Sequence, residues 1–218
     1  MRLLCISDVH GHEDALAAVL ATAERRGYQQ LVVAGDLCFP GPAPLETWRR
    51  LVRAKALCVQ GLGDRALATL DISSIRAPQD ERERLRLERL VDVRRELGDL
   101  ILASLARLPA IERMPLPDGG ELVIVHGSPS DPTEPFTSDL DDDEMSALIG
   151  DDPADIIVCG GSHTPFVRSI GDVRIVNVGS VGEAMSSGSH RHADATFLEI
   201  DRSGVRIEQF TVPLDRAA

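Results

Sequence analysis

Asp8-Val9-His10 is the first stretch of the chain whose residue types could do chemistry. The two side chains stand two residues apart at the end of an apolar run, Leu3-Leu4-Cys5-Ile6, so a strand there aims both from one side. One offers a hard oxygen and the other an imidazole nitrogen, a pair suited to a divalent cation such as Mn²⁺, Fe²⁺ or Zn²⁺. A helix-capping aspartate beside a surface histidine has the same spacing, so the pair gains meaning only from the rest of the chain. There are six histidines: His10, His12, His126, His163, His190 and His192. None falls within a helical pattern, and the first four follow directly on strand-like runs. Asp36 closes another such run. Asp8, His10, Asp36, His126 and His163 are therefore candidate metal ligands that could meet at one edge of a sheet.

Periodicity indicates the elements that must hold these residues. Residues 2–7 read as a buried strand, and residues 13–27 as a helix with Leu16, Val19, Leu20 and Ala23 on one face and Gly27 at its end. A strand at 30–34, closed by Gly35-Asp36, a short helix at 44–54 and a third strand at 56–59 follow, leading into Gly61-Leu62-Gly63-Asp64. Strand–helix–strand order implies a largely parallel sheet, whose ligands collect at the carboxyl ends of its strands. Residues 79–107 read as a charged, solvated helix or helix pair packed on the sheet by Leu85, Leu90, Leu97, Ile101 and Leu105.

The second half is richer in strands. Segments 111–115 and 121–125 flank the turn Asp118-Gly119-Gly120, and the second of them ends in His126-Gly127. A helix at 141–149 opens on Asp141-Asp142-Asp143, which reads as a cap and solvated face. A strand at 155–159 ends in Gly160-Gly161-Ser162-His163, and hairpins at 166–170/173–177 and 195–200/205–212 complete the chain. The expected layout is one domain, 1–218, with two sheets face to face and helices outside.

The formal net charge of -12 argues against a general nucleic-acid binder, which needs a basic surface. No apolar run is long enough to span a bilayer, and the N-terminal run lacks the basic flank of a signal peptide, so it reads as a strand. The four cysteines have no paired spacing and read as reduced residues of a cytoplasmic protein.

Taken in order, the motifs resemble the calcineurin-like metallophosphoesterases, in particular their small bacterial and archaeal members. Asp8-Val9-His10-Gly11 matches the first motif, Gly35-Asp36 the second and His126-Gly127 the fourth. Gly61-Leu62-Gly63-Asp64 stands where the family has Gly-Asn-His-Asp, and Gly160-Gly161-Ser162-His163 where it has Gly-His-Thr-His. Asn177-Val178-Gly179-Ser180-Val181-Gly182 is similar to the Asn-Pro-Gly-Ser-Val-Gly that follows in small members.

The resemblance implies an α/β fold (α+β in some schemes), a four-layer αββα sandwich of two mixed β-sheets flanked by helices. It assigns the first metal to Asp8, His10, Asp36 and His163. The second metal would share Asp36 and use an Asn, His126 and a further His. Here Leu62 and Gly161 occupy the places of that Asn and that His, and the proton-donating His of the third motif falls at Gly63. The expectation is one tight divalent site for Mn, Fe or Zn, with a depleted second site. Asp64 is expected to organise the third-motif loop. His12, His190 or His192 could replace a lost ligand or acid, and Arg191 could clamp a phosphate oxygen, unless 183–194 is only a surface loop. The implied activity is hydrolysis of a phosphate mono- or diester, a small phosphorylated substrate, by attack of metal-bound water. The alternative is a degenerate member that binds metal, a phosphorylated ligand or a protein partner without turnover.

Overall fold

Strand β1 (Arg2–Ile6) is the middle strand of a five-stranded sheet and sets the layering of the molecule. It runs parallel to β2 (Gln30–Val33), which pairs in parallel with the short β3 (Leu57–Cys58). On its other side β1 pairs antiparallel with β9 (His192–Asp201), and β10 (Gly204–Pro213) closes that edge. The structure is a computed structural model that describes residues 1–117, 119–184, 191–202 and 204–214.

The second sheet has the order β4 (Ile111–Pro115), β5 (Glu121–Val125), β6 (Ile156–Cys159), β8 (Val173–Asn177), β7 (Phe166–Ile170). Its three central strands β5, β6 and β8 are parallel, and both edges are antiparallel. Both sheets are therefore mixed. This is the two-sheet, helix-flanked α/β layout implied by the sequence.

Side-chain alternation builds the layers. Leu3 and Cys5 of β1 point between the sheets, where they meet Val32, Leu122, Ile124, Ile156, Val158, Val176 and Leu198. Leu4 and Ile6 point the other way, toward Leu16, Val19 and Leu20 of α1 (Glu13–Glu24) and Leu51 of α2 (Pro44–Arg53). The outer face of the second sheet, with Val123, Ile157 and Ile175, is covered by Phe136 and by Met145 and Ile149 of α5 (Asp142–Ile149). Each fully buried aliphatic side chain contributes about 1.5–3 kcal/mol, so the strand ends rest on a deep scaffold. All four cysteines are free, and among the described residues no helix is long and apolar enough to cross a membrane.

Three departures from the sequence reading matter. Helix α3 (Leu62–Thr69) is a turn of structure that the sequence reading leaves unassigned; the Asp64 carboxylate reaches back to the Gly61 N–H at 3.0 Å and so caps it. Helix α4 (Glu81–Leu105) is broken at Gly98 (φ 72°) into the helix pair that the sequence allowed, but Leu85 is 52% exposed rather than part of the packed stripe. Finally, β9 begins three residues earlier than expected, so His192 lies in strand register opposite Pro213 instead of in a loop.

Candidate metal centre

The parallel strands end at one edge, and the candidate ligands stand there. Asp8 and His10 follow β1, Asp36 follows β2, His126 follows β5 and His163 follows β6. Their backbone conformation is unusual. Asp8 (φ 52°), His10 (φ 51°), Asp36 (φ 53°) and His163 (φ 57°) all adopt the left-handed region; among the described non-glycine residues Lys55 is the one other case. Each such residue costs of order 1–3 kcal/mol, and such strain collects where side chains must be aimed. Main-chain hydrogen bonds hold the first two turns in place: Asp8 N–H to the Gly35 carbonyl (3.0 Å), and His10 N–H to the Asp36 carbonyl (2.9 Å).

Two groups of mutually reachable donors result, one formed by Asp8, His10 and His163 and the other by Asp8, Asp36 and His126. In the first, Asp8 Oδ1 lies 3.1 Å from His163 Nε2 and 3.5 Å from His10 Nε2, and the two Nε2 atoms are 3.1 Å apart. His10 Nδ1 donates to the Phe39 carbonyl at 2.5 Å, so Nε2 is the ring nitrogen that faces Asp8. Asp8 Oδ1 is itself fully buried and has no donor in hydrogen-bond geometry. An orphaned carboxylate oxygen facing two imidazole nitrogens fits a divalent first-row cation.

In the second group, His126 Nδ1 donates to the Ala34 carbonyl at 2.8 Å, and its Nε2 lies 3.6 Å from Asp36 Oδ2. The remaining carboxylate oxygens are held by main-chain donors: Gly161 N–H on Asp8 Oδ2 (2.9 Å) and Gly63 N–H on Asp36 Oδ1 (2.7 Å). Gly61 must be glycine here, since a Cβ would fall 2.2 Å from Asp36 Oδ1. Leu62, at the start of α3, is 48% exposed, and neither it nor Gly161 offers a side-chain donor.

Burial alone would push the His10 imidazole down and the Asp8 carboxyl up, and each prevents this in the other. The facing Asp8 carboxylate and the charge of Asp36 raise His10 to about 9. The facing imidazoles of His10 and His163, with the charge of His126, hold Asp8 well below the usual carboxylate range. His163 is raised by its contact with Asp8. The buried carboxylates thus call for positive charge, which protons supply in the bare protein and a cation supplies on displacing them.

The sequence of the calcineurin-like phosphoesterase superfamily domain matches residues 1–202. The chain belongs to this superfamily. A comparison with curated proteins finds no significant match. Among solved structures, a hypothetical protein from Pyrococcus horikoshii OT3 superposes with a TM-score of 0.80 at 19% identity, covering 99% of this chain and 89% of that one. A metallophosphoesterase from Sphaerobacter thermophilus gives 0.71 at 23% identity, covering 96% and 88%. The phosphoesterase Yfce from E. coli gives 0.55 at 20% identity, covering 97% and 100%. At these identities the likeness is one of fold.

Asp8 belongs to both donor groups and Asp36 to one. Asp64 is fully buried, with Oδ1 on the Leu37 N–H and Oδ2 on the Gly61 N–H, both at 3.0 Å. Desolvation, then the charge of Asp36, pushes its carboxyl up. It braces the Asp36 turn and the Gly61 turn and faces no open space. Arg191 lies 3.9 Å from Asp14, and His192 lies 3.5 Å from Asp194; neither belongs to the two donor groups. His190 lies outside the described residues. The imidazole of His12 is lowered by burial and then by the charge of Arg191.

Residues that carry no donor to the groups still shape them. Ser180 Oγ donates to the Asp8 carbonyl at 2.9 Å, and Asn177 Nδ2 donates to the Gly160 carbonyl at 2.9 Å, tying the turn after β8 to the first and fifth motifs. The signal for them was the Asn177–Gly182 motif, which names no contact.

Proposed function

We propose that the protein is a metal-dependent phosphoesterase that hydrolyses a small phosphate mono- or diester. The observation that carries this reading is the buried, unpartnered Asp8 Oδ1 facing the Nε2 atoms of His10 and His163. Asp8, His10 and His163 would hold one divalent cation, with Mn, Fe and Zn all compatible with the donors, and Asp36 and His126 would support a second, weaker one. A cation held there supplies a Lewis acid for phosphoryl oxygens and brings the pKa of water toward neutrality.

The chain's own groups do the rest. The carbonyls of Phe39 and Ala34 fix the tautomers of His10 and His126. The Gly63 N–H and Asp64 hold the Asp36 turn in place. Gly63 brings no side chain to the position of the superfamily's proton donor, so the leaving group departs without an acid there. That favours esters with acidic leaving groups such as phenols, since general acid catalysis is typically worth about 10²–10⁴-fold. A cleft of about 110 Å³ walled by Leu62, Arg65, Pro132 and Thr133 opens beside the Gly61 turn.

The same substitutions, Leu62, Gly63 and Gly161, favour a second reading, ligand binding without turnover. Hydrolysis of a mono-aryl and a bis-aryl phosphate separates the two, with Mn²⁺ titrated in and Asp36→Asn as control. Activity that rises with Mn²⁺ and falls to background in the variant is expected. No activity above the variant at any Mn²⁺ concentration would favour binding without turnover.

A further inference from the structure

Two of the three site histidines have their outer ring nitrogen fixed by a main-chain carbonyl, His10 on Phe39 and His126 on Ala34. His163 is held differently. Facing its Nδ1 is the carboxylate of Glu183, with Oε2 3.9 Å away and the same oxygen 4.0 Å from His10 Nε2. The backbone of Glu183 is tied to the first motif. Its N–H donates to Ser180 Oγ at 2.8 Å, and that hydroxyl donates to the Asp8 carbonyl. The preceding Gly182 donates its own N–H to the Asp8 carbonyl at 2.9 Å. The chain passes so close over this turn that a Cβ at Gly182 would lie 2.3 Å from the Val9 carbonyl oxygen. Glu183 is thus fixed at its root beside Asp8, while its side chain, 42% exposed, retains room to rotate.

We propose that Glu183 is a positioning residue for the metal corner: its carboxylate accepts the Nδ1–H of His163, fixes that ring's tautomer and turns the Nε2 lone pair toward Asp8. The inference rests on the metal reading of the Asp8, His10 and His163 corner. The observed 3.9 Å is longer than a hydrogen bond, and a side-chain rotation moving the carboxylate by about 1 Å closes it. Glu183 is not itself within reach of all three donors, so it acts through His163. A carboxylate on the far nitrogen of a ligating histidine orients the ring and raises its basicity, and its loss typically weakens metal binding about 10–100-fold.

The test is Mn²⁺ binding by calorimetry to the wild type, Glu183→Gln and Glu183→Ala, together with the His163 ring N–H proton in NMR spectra of the Zn²⁺-loaded proteins. Glu183→Ala is expected to weaken the tight Mn²⁺ phase about tenfold or more and to lose the slowly exchanging Nδ1–H resonance. Glu183→Gln keeps an acceptor oxygen and is expected to retain that resonance and lose less affinity. A Glu183→Ala protein that binds Mn²⁺ like the wild type and keeps the resonance overturns the inference while leaving the metal reading standing. A wild type that binds no Mn²⁺ overturns both.

Discussion

The two donor corners at the sheet edge share Asp8 and differ in almost everything else. In the Asp8, His10 and His163 corner the donor atoms lie 3.1–3.5 Å from one another, and one carboxylate oxygen is left without a proton donor. In the Asp8, Asp36 and His126 corner the contact from His126 to Asp36 is 3.6 Å; in each corner a main-chain N–H holds one carboxylate oxygen, Gly161 on Asp8 and Gly63 on Asp36. The first corner presents an oxygen and two imidazole nitrogens that fit a divalent cation. At the second, Leu62 and Gly161 bring no donor side chain. The strained turns of Asp8, His10, Asp36 and His163 serve both groups, and Asp8 is common to the two.

The largest expected effect follows from that sharing. Asp8→Asn keeps the shape of the side chain but removes the charge common to both groups. It should abolish saturable Mn²⁺ binding and lower kcat/KM for an aryl phosphate by about 10³-fold or more, the several kcal/mol that a bound cation supplies. If Asp8→Asn leaves one Mn²⁺ phase intact, Asp8 is not needed at both corners. A smaller effect is expected from restoring a donor. Leu62 is half-exposed at the first turn of α3, so Leu62→Asn disturbs little packing. It should tighten the weaker Mn²⁺ phase by about tenfold, or ~1.4 kcal/mol, without changing the tight phase, as read by calorimetry. An unchanged weak phase would mean that position 62 is not where the second corner lost its ligand.

Much of this site was legible in the sequence because parallel strands end where ligands collect. Asp8, His10, Asp36, His126 and His163 each follow an apolar run, and such runs are easy to read. What the sequence did not carry was the conformation of the turns. The left-handed φ of Asp8 and His163 determines where their donors point, and no pattern of residue types announces a strained aspartate or histidine. Helix α3 escaped notice because its sequence begins Leu-Gly-Asp after a glycine, a poor helical signal rescued by the long-range brace from Asp64 to Leu37. The break in α4 at Gly98 makes a helix pair, one of the two forms that the charged, leucine-striped segment allowed, and the stripe alone did not mark its position. Glu183 follows a recognisable motif, yet its proximity to His163 depends on a sequence separation that no local pattern spans.

The inequality of the two corners is tested most directly by titrating Mn²⁺ into the wild type, His163→Ala and His126→Ala, following bound and free ion. The account predicts a tight phase and a separate weak phase in the wild type, loss of the tight phase in His163→Ala, and loss of only the weak phase in His126→Ala. Two phases of equal affinity, or a tight phase that survives His163→Ala and vanishes in His126→Ala, would contradict it.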